Sequence, residues 1–158
     1  MESYFSTWHR WSDRNSYSGI EYPGIYVVAI SSRNLSGKEF SYLKEIVYVG
    51  MTNAVSGLKG RLVQFDNTIA MRHCQHGGAD RVLYKHQNYE KLARSLYVSM
   101  RHWKCRPADA TPKDLRAMGK VAAAEYELFA RCIENLENLP EFNRKKESKK
   151  YSLTYGRG

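Results

Sequence analysis

The chain has 158 residues, enough for one domain with a real core and too few for two independent ones. Its 25 Lys and Arg against 16 Asp and Glu leave a formal charge of +9, which favours a polyanionic partner through phosphate neutralisation and counterion release and makes nucleic acid the first candidate. No apolar run approaches the roughly 20 residues of a membrane span, the start Met1-Glu2-Ser3-Tyr4 lacks a signal pattern, and the three widely spaced cysteines, Cys74, Cys105 and Cys132, suggest neither a disulfide framework nor a paired-cysteine metal site. A cytoplasmic protein with no membrane attachment is expected.

In chain order, residues 1–20 are polar and aromatic, with Trp8, His9, Arg10, Trp11 and Arg14, and show no sustained periodicity; they read as an N-terminal extension. Its indoles either stack on bases or pack onto the domain, and packing is the commoner fate of a tryptophan. After Pro23 the run from Ile25 to Ile30 is β-branched and aromatic and predicts a strand. A polar loop rich in Ser, Asn and Gly leads to a second strand, Glu45 to Gly50, antiparallel to the first. Leu58, Leu62 and Phe65 then fall at helical spacing, with Arg61 near the helix N-terminus.

Within residues 66–94 the stretch Ala79 to Tyr84 reads as helix, and the whole reads as a basic insert with Arg72, Arg81, Lys85, Lys91 and Arg94 available to touch DNA. His73, Cys74 and His76 all have ligand-forming side chains, but their spacing fits no zinc ribbon or finger and a fourth ligand is missing. From Ser95 to Trp103, Leu96, Val98 and Met100 alternate with Tyr97, Ser99 and Arg101, the pattern of a half-buried strand. A connection bounded by Pro107 and Pro112 precedes a long helix from Met118 to about Asn135, whose apolar stripe is Val121, Ala124, Leu128 and Cys132 or Ile133. The tail after Asn143, with Arg144, Lys145, Lys146, Lys149, Lys150 and Arg157, is too polar to add core.

Gly24-Ile25-Tyr26 on one strand, Tyr48-Val49-Gly50 on the next, Arg61 on a helix, a glutamate on the long helix and the closing Pro140-Glu141-Phe142-Asn143 together resemble the GIY-YIG nuclease superfamily over about residues 22–143. The resemblance implies an α/β (α+β) sandwich, a small three-stranded antiparallel sheet flanked by helices. A nuclease domain at 21–143 would then carry the helical insert at 66–94, the extension at 1–20 and the basic tail at 144–158. It also implies a metal-dependent endonuclease that hydrolyses DNA, with one divalent ion, Mg²⁺ or Mn²⁺, and no small-molecule cofactor. The spacing from Tyr48 to Arg61 is similar to the restriction-type branch, whose members act as homodimers on palindromes.

Carried over by motif, Tyr26 and Tyr48 are the signature tyrosines, Arg61 the helix arginine and Asn143 the closing asparagine. For the metal ligand, Glu125 is preferred to Glu127 because Leu128-Phe129 follow it as in relatives, and a spacing of two puts the pair on different helix faces. A hard cation needs only one carboxylate when waters and a substrate oxygen complete its shell. Arg61 supplies fixed hydrogen bonds to the phosphoryl oxygens, Tyr26 is the candidate base, Tyr48 bonds near the phosphate or the water, and Asn143 orients neighbouring groups or backbone. Lys59, Arg72, Arg81, Lys145 and Lys146 are the candidate nucleic-acid contacts.

This chain has Met51 where several relatives carry Lys, and Phe65 where restriction-type relatives carry His. Neither replacement can handle a proton. The competing expectations are therefore a nucleic-acid-binding module with little catalysis, and a toxin or effector nuclease restrained by an immunity partner.

Overall fold

The computed structural model describes residues 4–156; Arg157 of the basic tail and residues 1–3 lie outside them. The chain is mixed α/β. Four strands, β1 (His9–Arg10), β2 (Gly24–Ile30), β3 (Ile46–Thr52) and β4 (Leu96–His102), form an antiparallel sheet in the order β1-β4-β2-β3. Helices α1 (Gly57–Ile69), α2 (Gly77–Lys85) and α3 (Tyr89–Ser95) cover one face and α4 (Pro112–Leu136) covers the other.

The period of two along each strand divides the core. Tyr26, Val28, Val98 and Met100 join Leu58, Leu62, Phe65, Val82 and Leu92 on the α1 side. Ile25, Val27, Ala29, Val49 and Tyr97 meet Val121, Leu128 and Cys132 of α4 on the other. The stripe expected on α4 therefore closes on Cys132, and Ile133 is exposed.

Four expectations change on folding. The three expected strands are joined by β1, so residues read as an extension supply a strand and two core indoles: Trp8 and Trp11 are each 1 % exposed and pack into opposite cores. β1 covers the outer edge of β4, whose backbone would otherwise lack a partner. With a core cluster on each side of the sheet, β4 is buried on both faces rather than half-buried, and the Ser99 hydroxyl is satisfied by donating to the Ser6 carbonyl at 2.7 Å. The polar loop before β3 buries Leu35 and Phe40 against Trp8. Finally, α4 begins at Pro112, six residues before the expected Met118, because Thr111 and Asp114 form a reciprocal capping box and proline suits a first helical turn.

A carboxylate holds the N-terminal segment to the helices. Asp66 of α1 is buried; its Oδ1 accepts from Trp11 Nε1 and from Tyr89 Oη, both at 2.8 Å, and its Oδ2 meets Arg72 Nη2 at 2.6 Å and Arg14 Nη2 at 3.6 Å. Burial alone would raise the Asp66 pKa, but the Trp11 and Tyr89 donors and the two guanidiniums hold it below its ordinary value. A folded pKa below the unfolded one means stability that is present at neutral pH and lost as acid protonates the group through its lowered pKa. Asp66→Ala is expected to cost about 3 kcal/mol by orphaning these donors, measured by urea denaturation at neutral pH, with the difference from wild type shrinking in acid.

Candidate active site

The β2–β3 register puts Tyr26 opposite Gly50 and Val28 opposite Tyr48, so the two tyrosines are diagonal neighbours on the α1 face, their ring centroids 6.1 Å apart. Each ring lies against a glycine that leaves it room. A Cβ on Gly50 would fall 2.5 Å from Tyr26 Cζ and Oη, and one on Gly78 would fall 2.3 Å from Tyr48 Cε2. Gly78 belongs to α2, so the helical insert forms a wall of the tyrosine pair rather than an appendage.

Arg61 and Glu125 act on both phenols. Burial drives the Tyr26 pKa well above its ordinary value; Tyr48 adds to the rise, Arg61 opposes it by charge and hydrogen bonding, and Glu125 raises it further. Tyr48 is also raised, chiefly by burial, with Arg61 lowering it, Glu125 raising it, and Tyr26 and Arg81 lowering it. Glu125 is itself raised by burial against the pull of Arg61 and Lys145. Helices on opposite faces of the sheet, α1 and α4, thus bring a guanidinium and a carboxylate to one pair of phenols. Glu127 lies on another face of α4, exposed and paired with Arg131 at 3.1 Å.

The two tyrosines differ in access. Tyr26 is 0 % exposed, whereas Tyr48 is partly exposed. Tyr48 is therefore the phenol open to solvent water, and Tyr26, the expected base, is closed to it.

Asn143 follows Phe142, which anchors its turn in the core. Its Oδ1 accepts from Val49 N and its Nδ2 donates to Val49 O, both at 2.8 Å, so the amide pairs with the open edge of β3 as a further strand residue would. It touches the backbone between Tyr48 and Gly50.

His76 was considered in the sequence only as a metal ligand, and the fold gives it another place. It N-caps α2, with Nδ1 accepting from Ala79 N at 3.1 Å and Nε2 2.6 Å from Tyr26 Oη. Thr68 of α1 fixes the approach by accepting from both Gln75 N and His76 N. The ring is 2 % exposed beside Phe65, with centroids 4.9 Å apart. Burial and the nearby Arg61 charge pull its pKa down to about 3, against a backbone hydrogen bond that raises it. Both ring nitrogens are engaged, while His73 and Cys74 lie in exposed positions.

The expected nucleic-acid contacts separate. Arg81 and Lys145 act on Tyr48 and Glu125 and so border the cluster. Lys59 and Lys146 are exposed. Arg72 is instead held by Asp66, and Lys85 of the insert by Glu141 at 2.7 Å. Among the described residues no three His, Cys, Asp or Glu side chains converge. A single half-buried carboxylate beside phenols and cations suits a hard cation that keeps several waters and shares a phosphate oxygen, and does not suit four-coordinate zinc.

Comparison with family models, with curated proteins and with solved structures finds no match for this chain.

Two outcomes test this geometry. As pH falls from 6.5 toward 3 the unfolded chain binds a proton that buried His76 does not, so stability is expected to fall across that window. Urea melts of wild type and His76→Asn at stepped pH should show a shallower acid loss in the variant. Gly78→Ala, by forcing a methyl against Tyr48, is expected to cost about 1–3 kcal/mol, whereas Gly119→Ala on open helix surface should be neutral or stabilising.

Proposed function

We propose that this chain is a metal-dependent endonuclease that hydrolyses DNA phosphodiester bonds, built on a GIY-YIG-like sheet of β2, β3 and β4. The observation that carries this reading is the meeting of Tyr26, Tyr48, Arg61 and Glu125, drawn from β2, β3, α1 and α4, in one electrostatically coupled cluster. Such a cluster holds a cation binder, a phosphate binder and a proton acceptor, the three groups that phosphodiester hydrolysis asks for.

Glu125 would hold the ion, with Lys145 nearby, and the bound ion would supply Lewis-acid stabilisation of the phosphoryl oxygens. Arg61 donates to those oxygens as negative charge builds. Its Nη1 donates to Gln64 at 2.9 Å, and its Nε lies buried with no hydrogen-bond partner among the described residues. Water attacks phosphorus and gives its proton to the Tyr48 oxygen in its ionised form. The new P–O bond forms as the ester P–O bond breaks, and the departing oxygen takes a proton from solvent. Arg61 and Arg81 favour the ionised phenol, against burial and the Glu125 charge, which leave its pKa raised.

A second reading, a nucleic-acid-binding module with little catalysis, is favoured by the elevation of both phenols and by Met51 and Phe65 at positions where a proton carrier would serve. Plasmid nicking in Mg²⁺ separates the two. The nuclease reading expects cleavage by wild type, loss of at least about a hundredfold in Arg61→Ala and Glu125→Ala, and near-full activity in Glu127→Ala. Salt-sensitive binding without any Mg²⁺- or Mn²⁺-supported cleavage would establish the binding module instead.

A further inference from the structure

We propose that His76 is a positioning residue for the tyrosine pair: its Nε2–H donates to the Tyr26 hydroxyl oxygen and so turns the Tyr26 proton away from the imidazole. The geometry stands on its own; its consequence for catalysis rests on the nuclease reading above.

The argument begins with the tautomer. Ala79 N is a backbone amide and can only donate, so His76 Nδ1, 3.1 Å away, presents its lone pair. Neutral imidazole carries one proton, which therefore sits on Nε2. A charged ring would set a second N–H against the Ala79 amide, in a site where burial and Arg61 already disfavour charge.

Nε2 lies 2.6 Å from Tyr26 Oη, so the phenol oxygen accepts and its own hydrogen must go elsewhere. The other groups facing Tyr26 are Arg61 of α1, Tyr48 of β3 and Glu125 of α4. Arg61 has donors alone. Glu125 acts on Tyr26 through its charge, and the Tyr48 ring lies beside it, the ring centroids 6.1 Å apart. The chain of donation runs from the Ala79 amide through the imidazole to the buried phenol, which lies beside the partly exposed one. Tyr48 is in turn faced by Arg61, Arg81 of α2 and Glu125, with Lys145 beside Glu125.

This arrangement gives Phe65 and the insert a joint meaning. Phe65 packs its ring on the imidazole and helps keep water from it, and the polar contact comes from the N-cap of a helix eleven positions further along the chain. The role is one of orientation: His76 offers a donor, with no proton transfer of its own.

Two substitutions separate capping from donation. His76→Asn keeps a favoured N-cap residue for Ala79 but ends one bond short of the donor position. His76→Gln reaches that position with an amide N–H and is a poorer cap. Long-range ¹H–¹⁵N spectra of the wild-type protein should show His76 as a single neutral tautomer with its proton on Nε2, a signal missing from both variants. In plasmid cleavage the Asn variant is expected to lose about tenfold in kcat with KM held, as for a lost hydrogen bond to a phenol beside the base, and the Gln variant to recover most of it despite lower thermal stability.

A His76 protonated on Nδ1, or an Asn variant that cleaves as well as wild type, overturns the proposal. Should wild type cleave nothing, the nuclease reading fails on its own, and the tautomer spectrum alone decides whether His76 holds Tyr26 as described.

Discussion

The hydrogen bond between Tyr26 and His76, 2.6 Å long and closed to solvent at both ends, joins the sheet to the helical insert. In a low-dielectric interior each of these groups would be costly without the other, so the pair constrains everything that brings it together. Gly50 leaves room for the phenol, Thr68 holds the backbone before His76, and Ala79 completes the cap. The position of α2 follows from that contact, and with it Gly78 beneath Tyr48 and Arg81 near the same ring.

The same helix carries the constraint outward. Asp80, one turn into α2, is 1 % exposed and accepts from the backbone and hydroxyl of Ser152. That contact docks a short helix, α5 (Tyr151–Tyr155), none of whose residues is buried. The basic tail is therefore held by hydrogen bonds to a buried carboxylate and by Tyr155 stacked on Tyr84, with ring centroids 6.2 Å apart. This fixes its path past α2 without adding core, and Lys150 comes close to Gly77 and Arg81.

The surplus of positive charge is used in two ways. Around Asp66, Arg14 and Arg72 neutralise an internal carboxylate, and they contribute to folding more than to any ligand. Around the tyrosines, Arg61, Arg81 and Lys145 face phenols and a single glutamate, and that side of the protein keeps an uncompensated positive field. Composition reports only the total. Which cations are internal partners and which are open to a polyanion depends on where the carboxylates fall in space.

Local pattern determined the elements: the β-branched runs of β2 and β3, the helical spacing of Leu58, Leu62 and Phe65, and the Ala-rich face of α4 are short-range properties that survive in any context. That Tyr26 and Tyr48 lie on two paired antiparallel strands was legible for the same reason; their diagonal register came only with the folded sheet. Tertiary structure alone decided the rest. Trp8 and Trp11 lie in a segment without periodicity, and only the open edge of β4 makes a strand of it. Glu125 and Glu127 differ by which face of α4 meets the sheet. His76 and Tyr26 are 50 residues apart, and nothing in a His-Gly-Gly sequence announces a partner on a distant strand. A side chain's role in a buried polar contact is set by the atom it meets, and chain folding, not local sequence, brings that atom to it.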